Sequence, residues 1–181
     1  MNQTIMLIRH AEKPIADQPG AGVTEEGAMD SESLTIRGWQ RAGGLAASFA
    51  RPFAPVVVPR TIFASGVMKR DGTGSRSKRP LQTVTPLARV LGLEPATDFS
   101  KGQESDLAGR LRDAPLPTLV CWQHESIPAI ALAIIGQGNV APDNWPDPVF
   151  DAIWLLRRDD ASSPWSFSEH YQQILAGDRG P

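Results

Sequence analysis

Four side chains stand where chemistry is possible. Arg9 and His10 close an apolar run, Thr4-Ile-Met-Leu-Ile-Arg9, and His124 follows a second one, Thr118-Leu-Val-Cys-Trp122. Arg79 ends a basic, Gly/Ser-rich stretch from Lys69 and opens a helical pattern. Two imidazoles and two guanidiniums, with no cysteine and no carboxylate pair among them, make a poor metal site. They suit a phosphate, because arginine forks bind its oxygens bidentately and a helix N-terminus adds positive potential. A histidine among arginines has its pKa pushed down, since an imidazolium would sit among like charges. Such a residue is neutral near pH 7 and free to attack phosphorus. The same cations then stabilise the charge on a transferring phosphoryl group.

Any one of these residues alone reads more simply as packing or a surface charge; the weight lies in the joint pattern. That pattern requires elements that bring the four together. Thr4–Arg9 is unbroken and apolar with β-branched residues, which predicts a strand buried on both faces. Val56–Ala64, best over Thr61–Ala64, Thr118–Trp122 and Val149–Leu156 predict three more strands. Thr35 is placed to cap a helix running to about Phe49, with Ile36, Trp39, Ala46 and Phe49 near one face. Gly43-Gly44 weakens that helix unless something packs closely there. Leu81, Val84, Ala88 and Leu91 predict a helix from about Ser77 to Leu91, with Pro80 in its first turn and a kink at Pro86. Gln103–Asp113 and Ile127–Ile135 complete the helices, and the Ser/Pro/Gly-rich C-terminus reads as peripheral. Alternating elements with uninterruptedly apolar strands predict an α/β three-layer sandwich, a mainly parallel sheet with helices on both faces. In such folds ligands bind outside the carboxyl ends of the strands, which is where Arg9, His10 and His124 fall.

Composition sets the limits. The 181 residues suit one domain spanning 1–181, and 41% hydrophobic with 21% charged residues is an ordinary globular balance. A net charge of −2 argues against a broad nucleic-acid or membrane footprint. Cys121 is the single cysteine, which excludes an intrachain disulfide and suits a reducing cytoplasm. No signal-peptide pattern opens the chain, and the apolar stretch Ile127–Ile135 is too short to span a bilayer. Asp71-Gly-Thr-Gly-Ser75 meets neither phosphate-loop pattern and reads as loop. His170, between Trp165 and Tyr171 in the sequence, reads as surface or packing.

Met6-Leu-Ile-Arg-His-Ala-Glu-Lys13 resembles the Arg-His-Gly/Ala signature of the histidine phosphatase superfamily, the phosphoglycerate mutase-like group. Leu34-Thr-Ile-Arg-Gly-Trp-Gln-Arg-Ala42 is similar to its Leu-Thr-x-x-Gly-x-x-Gln-Ala segment. Ala64-Ser65 with Arg79-Pro-Leu-Gln-Thr83 resembles its Ser…Arg-Ala-x-Gln-Thr element, and Val120-Cys-Trp-Gln-His-Glu125 its strand-then-His motif. The likeness runs in order through residues 4–135. It implies a metal-independent, cofactor-free phosphatase in which His10 forms a phosphohistidine while Arg9, Arg79 and His124 hold the phosphate. The substrate would be a phosphorylated small molecule or a phosphoprotein. Two departures are a longer loop before Arg79, which leaves Arg76 as a competitor for its role, and Pro80 in place of the usual Ala. For the acid that protonates a leaving alkoxide, the resemblance implies Glu104, placed after Arg79 about where the mutase-like branch has its acid, or Glu125, which follows His124 as an Asp does in the acid-phosphatase branch, and Glu12 is close to His10 in sequence; the small phosphohistidine phosphatases of the group lack such an acid. The alternative function is a catalytically weak module that binds a phosphorylated ligand or protein. A mutase fits less well, since 181 residues leave little for a lid.

Overall fold

The computed structural model describes residues 3–17, 20–67, 72, 74–136 and 141–180. Of the basic stretch before Arg79, Lys69, Arg70, Asp71 and Thr73 lie outside the described residues. Ten elements follow in order, β1 (Gln3–Arg9), α1 (Ile36–Ala50), β2 (Thr61–Ala64), α2 (Arg79–Leu91), α3 (Glu104–Leu111), β3 (Thr118–Trp122), a 3-10 turn (His124–Ser126), α4 (Ile127–Ile135), β4 (Ala152–Arg158) and β5 (Ser166–Tyr171). The five strands form one sheet in the order β2-β3-β1-β4-β5.

The apolar run of β1 works as its composition demands. Ile5, Met6, Leu7 and Ile8 are fully buried, each contributing about 1.5–3 kcal/mol. Ile5 and Leu7 pack with Leu107, Leu111, Ile127 and Ile130 of α3 and α4. Met6 and Ile8 face the other way, onto Leu45 and Phe49 of α1 and Val84 and Leu87 of α2. The two faces of β1 thus pack on different helices.

Four of the five strands point the same way, as the mainly parallel expectation has it, and β4 alone runs opposite, which makes the sheet mixed. β2, β3 and β1 pair in parallel, but β4 runs antiparallel to β1, and β5 antiparallel to β4. The reason lies in the Pro-rich connection after α4. Asp147 and Val149 reach Arg9 at the carboxyl end of β1, so the chain enters β4 from that end. β4 also starts later than the apolar run suggested, at Ala152. β5 lies in the segment read as peripheral, and its Ser-Phe-Ser-Glu-His-Tyr sequence is only partly buried, as suits a sheet edge.

Thr35 caps α1, its Oγ1 accepting from Gly38 N at 3.1 Å. The buried face of α1 is Gly38, Arg41, Ala42, Leu45, Ala46 and Phe49, while Ile36 is exposed, contrary to expectation. The Gly43-Gly44 pair is explained at Gly44, where a Cβ would stand 2.1 Å from Ile174 Cγ2. α2 runs unbroken from Arg79 through Pro86 to Leu91; it buries Thr83, Val84, Leu87 and Ala88 and leaves Leu81 exposed.

The tail is more than a fringe. Arg41 is buried on α1, where its Nε and Nη2 donate to Glu12 Oε1 at 3.0 and 2.8 Å. Its Nη2 also meets Asp178 Oδ1 at 2.7 Å, and Nη1 meets Gln172 Oε1 at 3.0 Å. Arg41 holds the Asp178 carboxyl well below its ordinary range, at about 2, against the opposing effect of burial. The guanidinium thus ties residues 172–178 to the loop that carries Glu12. No helix among the described residues is long and apolar enough to cross a membrane.

Candidate functional site

The parallel register brings the carboxyl ends of β1 and β3 side by side, with Arg9 opposite Trp122. His10 N then donates to Trp122 O at 3.1 Å, fixing the residue just past β1 against the end of β3. His10 is 4% exposed. Its Nδ1 lies 2.7 Å from Ala11 O. A carbonyl only accepts, so Nδ1 carries the proton and Nε2 keeps its lone pair. The first turn of α2 secures this loop, because Ala11 N donates to Thr83 Oγ1 at 2.8 Å and Thr83 Oγ1 donates to Arg79 O at 2.7 Å. Burial, joined by the charges of Arg9, Arg79 and Lys13, pushes the His10 pKa down to about 3, although the Ala11 hydrogen bond acts the other way. His10 is a neutral imidazole at pH 7.

Arg9 is fully buried with its guanidinium 3.8 Å from the centre of the Phe150 ring. Nη2 donates to Asp147 Oδ1 at 2.9 Å, and Nη1 donates to the carbonyls of Asp147 and Val149. Arg79, the first residue of α2, donates from Nη1 to Ser31 O at 2.9 Å and lies 3.9 Å from Glu32 Oε2. Arg76 is exposed, whereas Arg79 is among the charges that depress His10. His124 opens the 3-10 turn after β3, and its Nε2 lies 3.4 Å from Asp147 Oδ1. Its pKa is lowered by burial and by Arg9, against the pull of Glu125 and Asp147.

The carboxylates singled out by spacing have partners of their own. Glu104 accepts from Trp122 Nε1 at 3.0 Å and from Gly102 N at 3.0 Å; these bonds hold its pKa low although burial raises it. Glu125 Oε1 lies 2.5 Å from Lys101 Nζ, which outweighs burial in the same way. Its Oε2 is 2.9 Å from His124 Nδ1 but outside hydrogen-bond geometry. Glu12 is held by Arg41, with Arg37 at 3.5 Å.

Asp147, Lys13, Phe150, Thr83 and Gln123 belong to this region but carried no signal as site residues. Lys13, Thr83 and Gln123 fell inside the motif stretches and Phe150 inside a predicted strand, while Asp147 fell in neither. Buried polar atoms without a partner concentrate here among the described residues: Arg9 Nε, Arg79 Nε, His124 Nδ1, both amide atoms of Gln123 and Ser77 Oγ. Each such atom costs about 1–3 kcal/mol when left unmade. They sit at the ends of β1 and β3 and at the entry to α2, where a polyanionic ligand would satisfy the guanidinium and imidazole donors. No group of three or more His, Cys, Asp or Glu positioned to hold a metal occurs among the described residues. A neutral imidazole with a lone pair, beside two guanidiniums and a second imidazole, can attack a phosphoryl group and stabilise it in transfer.

No protein-family model matches the chain, and no curated protein matches it by sequence. Solved structures do share its fold. A mycobacterial glucosyl-3-phosphoglycerate phosphatase superimposes with a TM-score of 0.52 at 15% identity, over 94% of this chain and 98% of that one. A mycobacterial hydrolase gives 0.50 at 14% identity, over 97% and 94%.

Proposed function

We propose that this chain is a phosphatase of the histidine phosphatase superfamily, built on the three-layer phosphoglycerate mutase-like plan. It acts in the cytoplasm on a phosphomonoester or a phosphohistidine. His10 Nε2 attacks phosphorus, the bond to the leaving oxygen or nitrogen breaks, and phosphohistidine forms. Arg9, Arg79 and His124 bind the phosphoryl oxygens through both steps. Water then attacks the phosphorus, and the electron pair of the P–N bond returns to Nε2. The observation that carries this reading is the state of His10: buried, neutral, tied at Nδ1 and free at Nε2. A module that only binds a phosphorylated ligand needs the cations but gains nothing from an uncharged imidazole among them. The fold shared with a phosphatase and a hydrolase supports the same choice.

The test is turnover of a generic aryl phosphate and trapping of the phosphoenzyme. His10→Ala abolishes turnover, and label trapped on the unaltered protein is acid-labile and alkali-stable, as a phosphoramidate is. Vanadate inhibits and excess chelator leaves the rate unchanged. Acid-stable label, or turnover that survives His10→Ala, refutes the role of His10.

A further inference from the structure

One carboxylate reaches two of the groups that the proposed chemistry assigns to phosphate, Arg9 and His124, and a lysine beside them. Asp147 Oδ1 lies 2.9 Å from Arg9 Nη2, 3.3 Å from Lys13 Nζ and 3.4 Å from His124 Nε2. These three groups come from the end of β1, the loop after it and the 3-10 turn after β3, so they converge on a single oxygen. That oxygen stands where an acceptor atom of a bound phosphoryl group would stand. The Asp147 side chain as a whole is 65% exposed, so solvent reaches its carboxyl. Beside it a cavity of about 280 Å³ is lined by Lys13, Pro14, Ile15, Asp147, Pro148 and Phe150, which gives a leaving group a place against the carboxyl.

We infer that Asp147 is the proton donor of the reaction, held by Arg9 and Lys13 beside the His124 imidazole until the substrate's phosphoryl group takes those partners over. The inference rests on the phosphatase reading above. The groups nearest the Asp147 carboxylate are Arg9, Lys13 and the His124 imidazole, and the hydrogen bond from Arg9 with the charge of Lys13 keeps it ionised. When a phosphate dianion binds the same donors, the carboxylate loses its support and meets a negative neighbour, so its protonated form is favoured. In the first step His10 Nε2 bonds to phosphorus, the P–O bond breaks, and the leaving oxygen takes the proton from the Asp147 carboxyl. In the second step water gives its proton to the Asp147 carboxylate as its oxygen bonds to phosphorus and Nε2 departs. The acid is thereby restored. Glu12, Glu104 and Glu125 are otherwise engaged, with Arg41, with Trp122 and Gly102, and with Lys101.

The experiment compares an alkyl phosphate with 4-nitrophenyl phosphate, whose leaving group needs no proton, in the full chain and in Asp147→Asn. Asp147→Asn lowers kcat/KM, which reports the steps up to departure of the leaving group, by about 10²- to 10⁴-fold on the alkyl ester and changes kcat/KM on the aryl ester little. It also tightens inhibition by inorganic phosphate, roughly two- to fivefold, because an internal competitor about as strong as an exposed ion pair has gone. Asp147→Glu, which restores a carboxyl, recovers part of the alkyl rate. Equal loss of kcat/KM on both esters, no loss on either, or weaker phosphate inhibition overturns the inference. So does an alkyl-selective loss in Glu104→Gln or Glu125→Gln with Asp147→Asn unaffected. Failure of the phosphatase reading is distinct: the unaltered protein then turns over neither ester.

Discussion

The burial of a neutral His10 sets a measurable dependence of stability on pH. Its folded pKa of about 3 lies below the ordinary 6.5 because burial and the charges of Arg9, Arg79 and Lys13 oppose the proton. The unfolded chain binds that proton below pH 6.5, whereas the folded chain does not until about pH 3. Stability tied to this residue is therefore complete above 6.5 and drains away as pH falls toward 3. At about 1.4 kcal/mol per pH unit, the loss is roughly 2 kcal/mol at pH ~5 and about 5 kcal/mol by pH ~3. The perturbation is His10→Asn, whose amide N–H can keep the bond to Ala11 O while removing the titration. Urea unfolding of both proteins at about pH 8 and pH 5 reads the difference. His124 and the carboxylates titrate in both and cancel. The unaltered protein loses about 2 kcal/mol more than His10→Asn between the two conditions. Parallel losses in the two proteins refute the argument that His10 is held neutral by its site.

Two further outcomes follow from the packing around the site. Arg41→Met leaves Glu12 and Asp178 without their shared counter-charge and destabilises the fold by about 3–5 kcal/mol, read by urea unfolding. In the unaltered protein Asp178 contributes stability that is whole above pH 3.8 and is lost as pH falls toward about 2; that acid-side loss shrinks in Arg41→Met. Gly38→Ala sets a Cβ 2.6 Å from Glu12 O and forces α1 away from the loop after His10. This overpacking costs about 1–3 kcal/mol in unfolding experiments and lowers turnover through displacement of that loop.

What the sequence disclosed followed the strength of local signals. β1, β3 and α4 are continuous apolar runs, and Thr35 is a capping residue at the head of a periodic segment, so their places were readable. The residues ending β1 and β3 then had to meet, because parallel neighbours share a carboxyl edge. β5 was hidden because an edge strand needs no apolar alternation, and Ser166–Tyr171 has little. The direction of β4 depended on how far the connection after α4 travels, which no residue type records. Asp147 looked like any aspartate in a Pro-rich loop, for its meaning comes from cations over a hundred residues away in sequence. Glu104 and Glu125 stood at suggestive spacings, yet their oxygens are held by Trp122, Gly102 and Lys101. Spacing could not reveal those partners.

The Arg41 clamp bears on the order in which the molecule is made. Two of its acceptors, Gln172 and Asp178, come from 131 and 137 residues further along the chain. Contacts across such separations are slow to form, since chain entropy is lost before they reward it. During translation α1 can settle on β1, but its guanidinium has only Glu12 until residue 178 has left the ribosome. Glu12 stands two residues past His10, so the loop that fixes the imidazole waits on the same event. A chain lacking residues 172–178 thus lacks two of the three side chains that hold Arg41, and with them part of the support for the loop after β1.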